Sequence, residues 1–152
     1  MKQKRKIGLL SLFLVLSMLV FTACGQEKKA ANSVIHVGTN AEFPPFEYID
    51  ENGEIAGFDV AVMKAIGEEM GYDVEFTNME FKSLTASLKT GGLDAVAAGM
   101  TITEDRKQSV DFSDGYYEAT QCIVVSKDSP VTAMKDLEGK KIGAQVGTTG
   151  MF

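Results

Sequence analysis

The sequence predicts an α/β fold built on a mostly parallel sheet, and three observations carry that expectation. Apolar or β-branched runs alternate with helix-like segments along the chain. Leu93 to Ala98 is nearly all apolar, as a strand covered on both faces must be. Glycines stand where helices should stop, at Gly71 and at Gly91-Gly92.

Taken in order, Val34-Ile35-His36-Val37-Gly38 is the first strand. Phe43-Pro44-Pro45-Phe46 follows as a rigid loop, because proline has no amide donor and restricts the residue before it. Phe46 to Ile49 and Glu54 to Ala56 flank Asn52-Gly53, the signature of a tight hairpin turn. Asp59 stands where it can cap a helix running to about Met70, with Val62, Met63, Ile66 and Met70 on one face. Val74 to Phe76 is the next strand. Ser83 to Lys89 is a short helix with Leu84 and Leu88 inward, and Leu93 to Ala98 is the buried strand. Thr103 caps a short helix that carries Arg106. Thr120 to Ser126 and Lys141 to Val146 read as strands, with one helical turn over Met134 to Glu138 between them. In sheets of this kind ligands sit beyond the carboxyl ends of the strands. The loops Thr39 to Phe46, Glu80 to Ser83 and Gly99 to Arg106 therefore frame the expected site.

Composition narrows the function. The formal net charge is −6 over 152 residues, and the remainder is more acidic still without Lys2, Lys4, Arg5 and Lys6. Nucleic acid is bound largely through phosphate neutralisation by Lys and Arg, so this chain is expected to bind none. The single His36 has no Cys or His companion, which leaves no basis for a metal site. No Ser/His/Asp or Cys/His set is present for nucleophilic catalysis, and no cofactor motif is found. Gly147-Thr148-Thr149-Gly150 lacks the Gly-Lys-Ser/Thr that a phosphate loop requires. The runs Asp50-Glu51 and Glu68-Glu69 read as solvated faces.

The amino terminus reads as a targeting segment. A basic stretch precedes the apolar run Ile7 to Phe21, which is shorter than the roughly 20 residues of a permanent span. Phe21-Thr22-Ala23-Cys24-Gly25 resembles a bacterial lipobox, departing from it at Phe21, where that pattern usually has Leu. Residues 1–23 are then a lipoprotein signal peptide, Cys24 the lipidated amino terminus, and residues 24–33 a flexible tether to the membrane. Cys122 keeps no disulfide partner and reads as a small buried hydrophobe.

Gly99 to Ser113 carries the most chemistry. A strand ends at a glycine, Thr101 and Thr103 follow, and Arg106 sits in the first turn of a helix. Hydroxyls, free amides and one guanidinium around a small volume suit a carboxylate, which Arg binds through two parallel hydrogen bonds. A receptor for a small molecule with a free carboxylate is the expectation from these residues alone.

Several further stretches fall in a recognisable order. They are Gly38-Thr39-Asn40-Ala41-Glu42-Phe43-Pro44-Pro45-Phe46, Gly57-Phe58-Asp59, Met79-Glu80-Phe81, Gly99 to Arg106, Val110-Asp111-Phe112-Ser113 with Tyr116-Tyr117, and Gly147 to Gly150. Together they resemble the polar amino-acid substrate-binding lipoproteins of ABC importers, bacterial extracellular solute-binding family 3. The resemblance implies a periplasmic-binding-protein-like fold of type II, two α/β lobes closing on a ligand. Residues 34–122 would form lobe one, and residues 123–152 the crossover strand and the start of lobe two. It implies that most of lobe two lies beyond Phe152, so that the chain as written binds ligand weakly or not at all and exposes apolar surface.

The resemblance also assigns roles. Arg106 would grip the ligand α-carboxylate and Thr101 assist it, with backbone groups from the Gly99 region. Phe43 and Phe81 would sandwich the aliphatic stem, and Asn40 would touch the side chain. Gln145 and Thr149 would close over the ligand from lobe two. The implied function is capture of a polar L-amino acid by a monomer that delivers it to ABC permease subunits, from an extracytoplasmic position anchored through Cys24. Two other possibilities share the architecture: an amino-acid-sensing domain, and a cyclohexadienyl-dehydratase-like enzyme.

Overall fold

Strand β1 (Val34–Thr39) is the middle of a three-stranded parallel sheet in the computed structural model, which describes residues 33–151. Its neighbours are β5 (Asp73–Asn78) and β6 (Ala95–Val96). β1 pairs with β5 along its whole length, from Val34 opposite Asp73 to Thr39 opposite Asn78. A central strand is covered on both faces toward its end, and Val37, Gly38 and Thr39 are buried. The expected signal peptide, Cys24 and most of the expected tether lie outside the described residues.

Between β1 and β5 the chain makes a small antiparallel sheet of β2 (Glu42–Phe43), β3 (Glu47–Ile49) and β4 (Ile55–Ala56), then helix α1 (Phe58–Met70). The Asn52-Gly53 turn forms as predicted. It is closed by the Asp50 carboxylate, which accepts from the amides of Asn52 at 2.8 Å and Glu54 at 2.9 Å. Those amides, Glu54 first, hold the Asp50 pKa below its ordinary value, so Asp50 builds the turn rather than merely facing water. Helix α2 (Phe81–Lys89) connects β5 to β6, and Leu84 on its inner face is fully buried against Leu93 and Ala98. Burying one leucine contributes about 1.5–3 kcal/mol. Met79, Phe81, Leu88, Val96 and Met100 pack around this cluster.

Five expectations are corrected. Asp59 does not cap α1. The amides of Phe58 and Asp59 already donate to the carbonyls of Pro45 and Phe46, both at 3.0 Å, so the preceding loop satisfies the helix start. The cap position is Gly57, at φ +129° with its Cα tight against the Phe46 carbonyl; a Cβ there would stand 2.2 Å from that oxygen. Asp59 is thereby free to turn inward. Second, Ile66 and Met70 remain exposed, and Val60 and Gly67 supply the buried face of α1. Third, only Ala95–Val96 of the apolar run pairs as strand, opposite Val37 and Gly38, and Ala97 adds a single amide bond to the Gly38 carbonyl at 3.0 Å. Fourth, Thr120 to Ser126 and Lys141 to Val146 form no ladder. Their β-branched composition favours strand, but a strand needs a neighbour to bond, and none of the described residues supplies one. Fifth, Cys122 is accordingly exposed, not buried. Among the described residues no helix is long and apolar enough to cross a membrane.

Candidate functional site

Arg106 lies on α3 (Glu104–Lys107), a single turn begun as predicted by Thr103, whose Oγ1 accepts from the Arg106 amide at 3.2 Å. The guanidinium leaves that turn toward the carboxyl end of the sheet. Nη1 donates to the Thr101 carbonyl at 2.6 Å and Nη2 to the Gly147 carbonyl at 2.8 Å. Its Cζ stands 5.5 Å from the centroid of the Phe81 ring, at the start of α2. A cation over an aromatic face is worth about 0.5–1 kcal/mol when exposed and more when desolvated. Burial lowers the Arg106 pKa, opposed by the nearby Asp105, and the group stays charged. Among the described residues no carboxylate forms an ion pair with it. A half-buried cation thus faces neutral carbonyls, with further N–H donors of its fork uncommitted.

The other predicted residues are held by contacts of their own. Gly99 sits at φ +52° beside the Phe43 ring, where a Cβ would come within 3.2 Å of two ring carbons. Phe43 stacks on Phe46 with centroids 5.2 Å apart and keeps about half its surface exposed (52%). Asn40, buried just past β1, accepts through Oδ1 from Gln145 Nε2 at 2.6 Å. Gly147 lies against the first turn of α2 at Lys82. Thr149 is held by Gln121, whose Nε2 donates to its Oγ1 at 2.9 Å, rather than by another predicted residue. Thr101 contributes its carbonyl to Arg106, and its side chain remains in an exposed residue. Phe46 and Phe58 form an aromatic cluster with Tyr116 and Tyr117.

Sequence reasoning missed a second layer behind Gly99. Asp59 Oδ2 accepts from the Gly99 amide at 2.7 Å and from the Tyr116 hydroxyl at 2.8 Å. Glu47 lies beside Asp59, and both residues are 1% exposed. Burial, reinforced by the Asp59 carboxylate, pushes the Glu47 pKa up to about 8. Burial and the bond to Asp59 raise Tyr116 well above the ordinary tyrosine range. Gly57-Phe58-Asp59 stood out in the sequence, but Asp59 was legible only as a cap; nothing local marks Glu47. Gln121, and the bond of the Gly147 carbonyl to Arg106, likewise emerge only from the folded chain. Among the described residues no three His, Cys, Asp or Glu side chains are grouped to hold a metal ion.

The sheet, the arginine corner and the flanking aromatics define an α/β lobe with a half-buried cation at the candidate site. Residues 35–144 match the bacterial extracellular solute-binding proteins, family 3, and the chain belongs to that family. The arginine-binding extracellular protein ArtP of Bacillus subtilis is 44% identical over 142 residues, covering 90% of this chain and 55% of ArtP. A "Probable histidine-binding protein" of Neisseria gonorrhoeae is 43% identical over 147 residues, covering 91% and 55%. Among solved structures, an ancestral arginine-binding protein bound to arginine superposes with a TM-score of 0.76 at 48% identity, over 80% of this chain and 54% of that one. The arginine-bound form of domain 1 from TmArgBP gives 0.55 at 47% identity, over 56% of this chain and 68% of that one. The chain spans about half the length of the curated relatives it matches. The α/β architecture with a parallel sheet is that of these binding proteins.

Proposed function

We propose that this chain carries the carboxylate-gripping half of an amino-acid receptor serving an ABC importer. The observation that carries the reading is Arg106: a half-buried guanidinium, stacked near Phe81, held by two carbonyls and met by no carboxylate of the described chain. An incoming α-carboxylate supplies the missing anion. It takes the free donors of the fork and competes for the Gly147 carbonyl's place on Nη2. Phe43 and Phe81 wall the stem of the ligand, Asn40 meets its side chain, and Gln145 and Thr149 cover it. A polar L-amino acid fits these groups, and arginine and histidine are the first candidates because relatives bear those names.

The remainder of the reading follows the family. The protein works outside the cytoplasm, anchored through a lipid on Cys24, binds as a monomer without cofactor or catalysis, and presents its ligand to permease subunits. The relatives named above are binding proteins, which favours transport over a dehydratase or a sensor. That domain 1 of TmArgBP is known in an arginine-bound form supports binding by one lobe and its immediate continuation.

Calorimetric titration of the chain against the twenty amino acids tests this. Weak binding of one polar amino acid is expected from this lobe without most of its partner, with Arg106→Ala weakening it about tenfold to a hundredfold or more, the worth of a charged hydrogen-bonded contact. An unchanged dissociation constant in the Arg106→Ala variant would take the guanidinium out of the site.

A further inference from the structure

Two buried acids, Glu47 and Asp59, lie behind Gly99 and do not touch Arg106. Glu47 comes from β3 and Asp59 from the first turn of α1, and the two meet where Gly99 and Tyr116 converge. Asp59 Oδ2 accepts twice, from the Gly99 amide and the Tyr116 hydroxyl. Asp59 Oδ1 and Glu47 Oε2 are both buried without any donor among the described residues. Glu47 Oε1 faces Gly99, 3.8 Å from where a Cβ would stand. Two adjoining buried carboxylates, both ionised and each with an unserved oxygen, would repel at short range in a poorly solvated place. One proton between them supplies the missing donor and removes the repulsion.

We propose that Glu47 and Asp59 share a single proton, and that the resulting clasp is a positioning device which sets the Gly99–Thr101 corner for ligand. The path is short. Asp59 fixes the Gly99 amide, Gly99 leads to Thr101, and the Thr101 carbonyl orients the Arg106 fork. The Tyr116 hydroxyl ties the same carboxylate to the segment leaving this lobe. The titratable groups facing Glu47 are Asp59 from α1 and Tyr116 from the extended segment; the Gly99 loop brings only its amide, and no cation contributes to the Glu47 shift. With the proton in place Glu47 donates to Asp59, and Asp59 keeps its two acceptances. When the proton leaves, the pair separates and the corner loosens. The raised Glu47 pKa of about 8 agrees with this and places the loss just above neutrality. The effect on ligand rests on the Arg106 corner being the carboxylate site; the shared proton does not.

The test is carried out on the full chain. Carboxyl carbon NMR follows Glu47, and the Gly99 amide proton shift is recorded across the same pH series. Glu47 is expected to titrate near pH 8 with the Gly99 amide moving at the same midpoint, and Glu47→Gln, which keeps a donor and cannot ionise, is expected to hold the Gly99 amide still. Glu47 titrating in the ordinary carboxylate range would overturn the proposal in the wild-type chain alone, whether or not the variant folds. A Gly99 amide that moves identically in Glu47→Gln would overturn it as well. Calorimetry with L-glutamine and L-arginine at pH 6.5 and 8.5 reads the functional link. The wild-type affinity is expected to fall several-fold more than that of Glu47→Gln; equal falls would sink the positioning role. A wild-type chain that binds neither amino acid at either pH would remove the ligand link, while the NMR arms still decide the shared proton.

Discussion

Gly57 shows how much a single residue can hold. Its φ of +129° and its contact with the Phe46 carbonyl let the Pro45-Phe46 loop cap α1 by backbone alone. That arrangement releases the Asp59 side chain to bind Gly99 and Tyr116. Any side chain at position 57 meets backbone oxygen in a conformation L-residues avoid, and such strain costs on the order of 1–3 kcal/mol. Gly57→Ala is expected to lower the melting temperature by several degrees, read by circular dichroism, and to displace the Gly99 amide resonance with it. A melt indistinguishable from wild type would show that the loop gives way cheaply. Arg106 stands at the opposite extreme, a residue whose cap, spacing and chemistry all lay in the sequence around it, from Thr103 to the guanidinium itself.

Helix α2 is the element on which both core and site depend. Its inner face buries Leu84 completely, and its first residue, Phe81, presents the ring beside the Arg106 guanidinium. Leu84→Ala leaves a cavity between α2 and Leu93, and substitutions of this kind cost about 2–5 kcal/mol. A lower urea midpoint with an unchanged slope is the expected result; an unchanged midpoint would mean that the cluster collapses to fill the space. The elements legible in the sequence were those set by local pattern. β1, the Asn52-Gly53 hairpin, α2 and the Gly71 stop of α1 stand where periodicity and turn chemistry put them. Thr120 to Ser126 was not, because a strand is a property of a pair, and composition describes one partner only.

For the molecule as a whole, pH sets the balance among its carboxyls. Glu47 holds its proton in the folded chain to about pH 8, above its ordinary 4.5, so the folded state binds a proton that the unfolded state has lost. Stability is therefore fully present below pH 4.5 on this account and is lost as pH rises through 8, by at most about 1.4 kcal/mol per pH unit across that interval. Asp50 and Asp136 act the other way. Backbone amides, those of Glu54 and Thr132 foremost, lower their values, so what they contribute is present above the ordinary aspartate range and disappears as the solution is acidified. Melting temperatures recorded from pH 5 to 9 are expected to decline, and Glu47→Gln to flatten that decline. A wild-type profile level across the interval would be incompatible with a protonated Glu47.

The sequence by itself determined the α/β class and the family, from the order of its segments, and the hairpin, the Gly71 stop and the Thr103–Arg106 turn, since those rest on residues a few positions apart and on bonds that form within a turn or two. Only the tertiary structure decided that Asp59 reaches across 40 residues to Gly99 and 57 to Tyr116, that Asn40 meets Gln145 across 105, and that Glu47 is buried against an acid. Such partners are chosen by sheet register and by which side chain a helix start leaves free, and neither is written in the neighbourhood of the residues concerned.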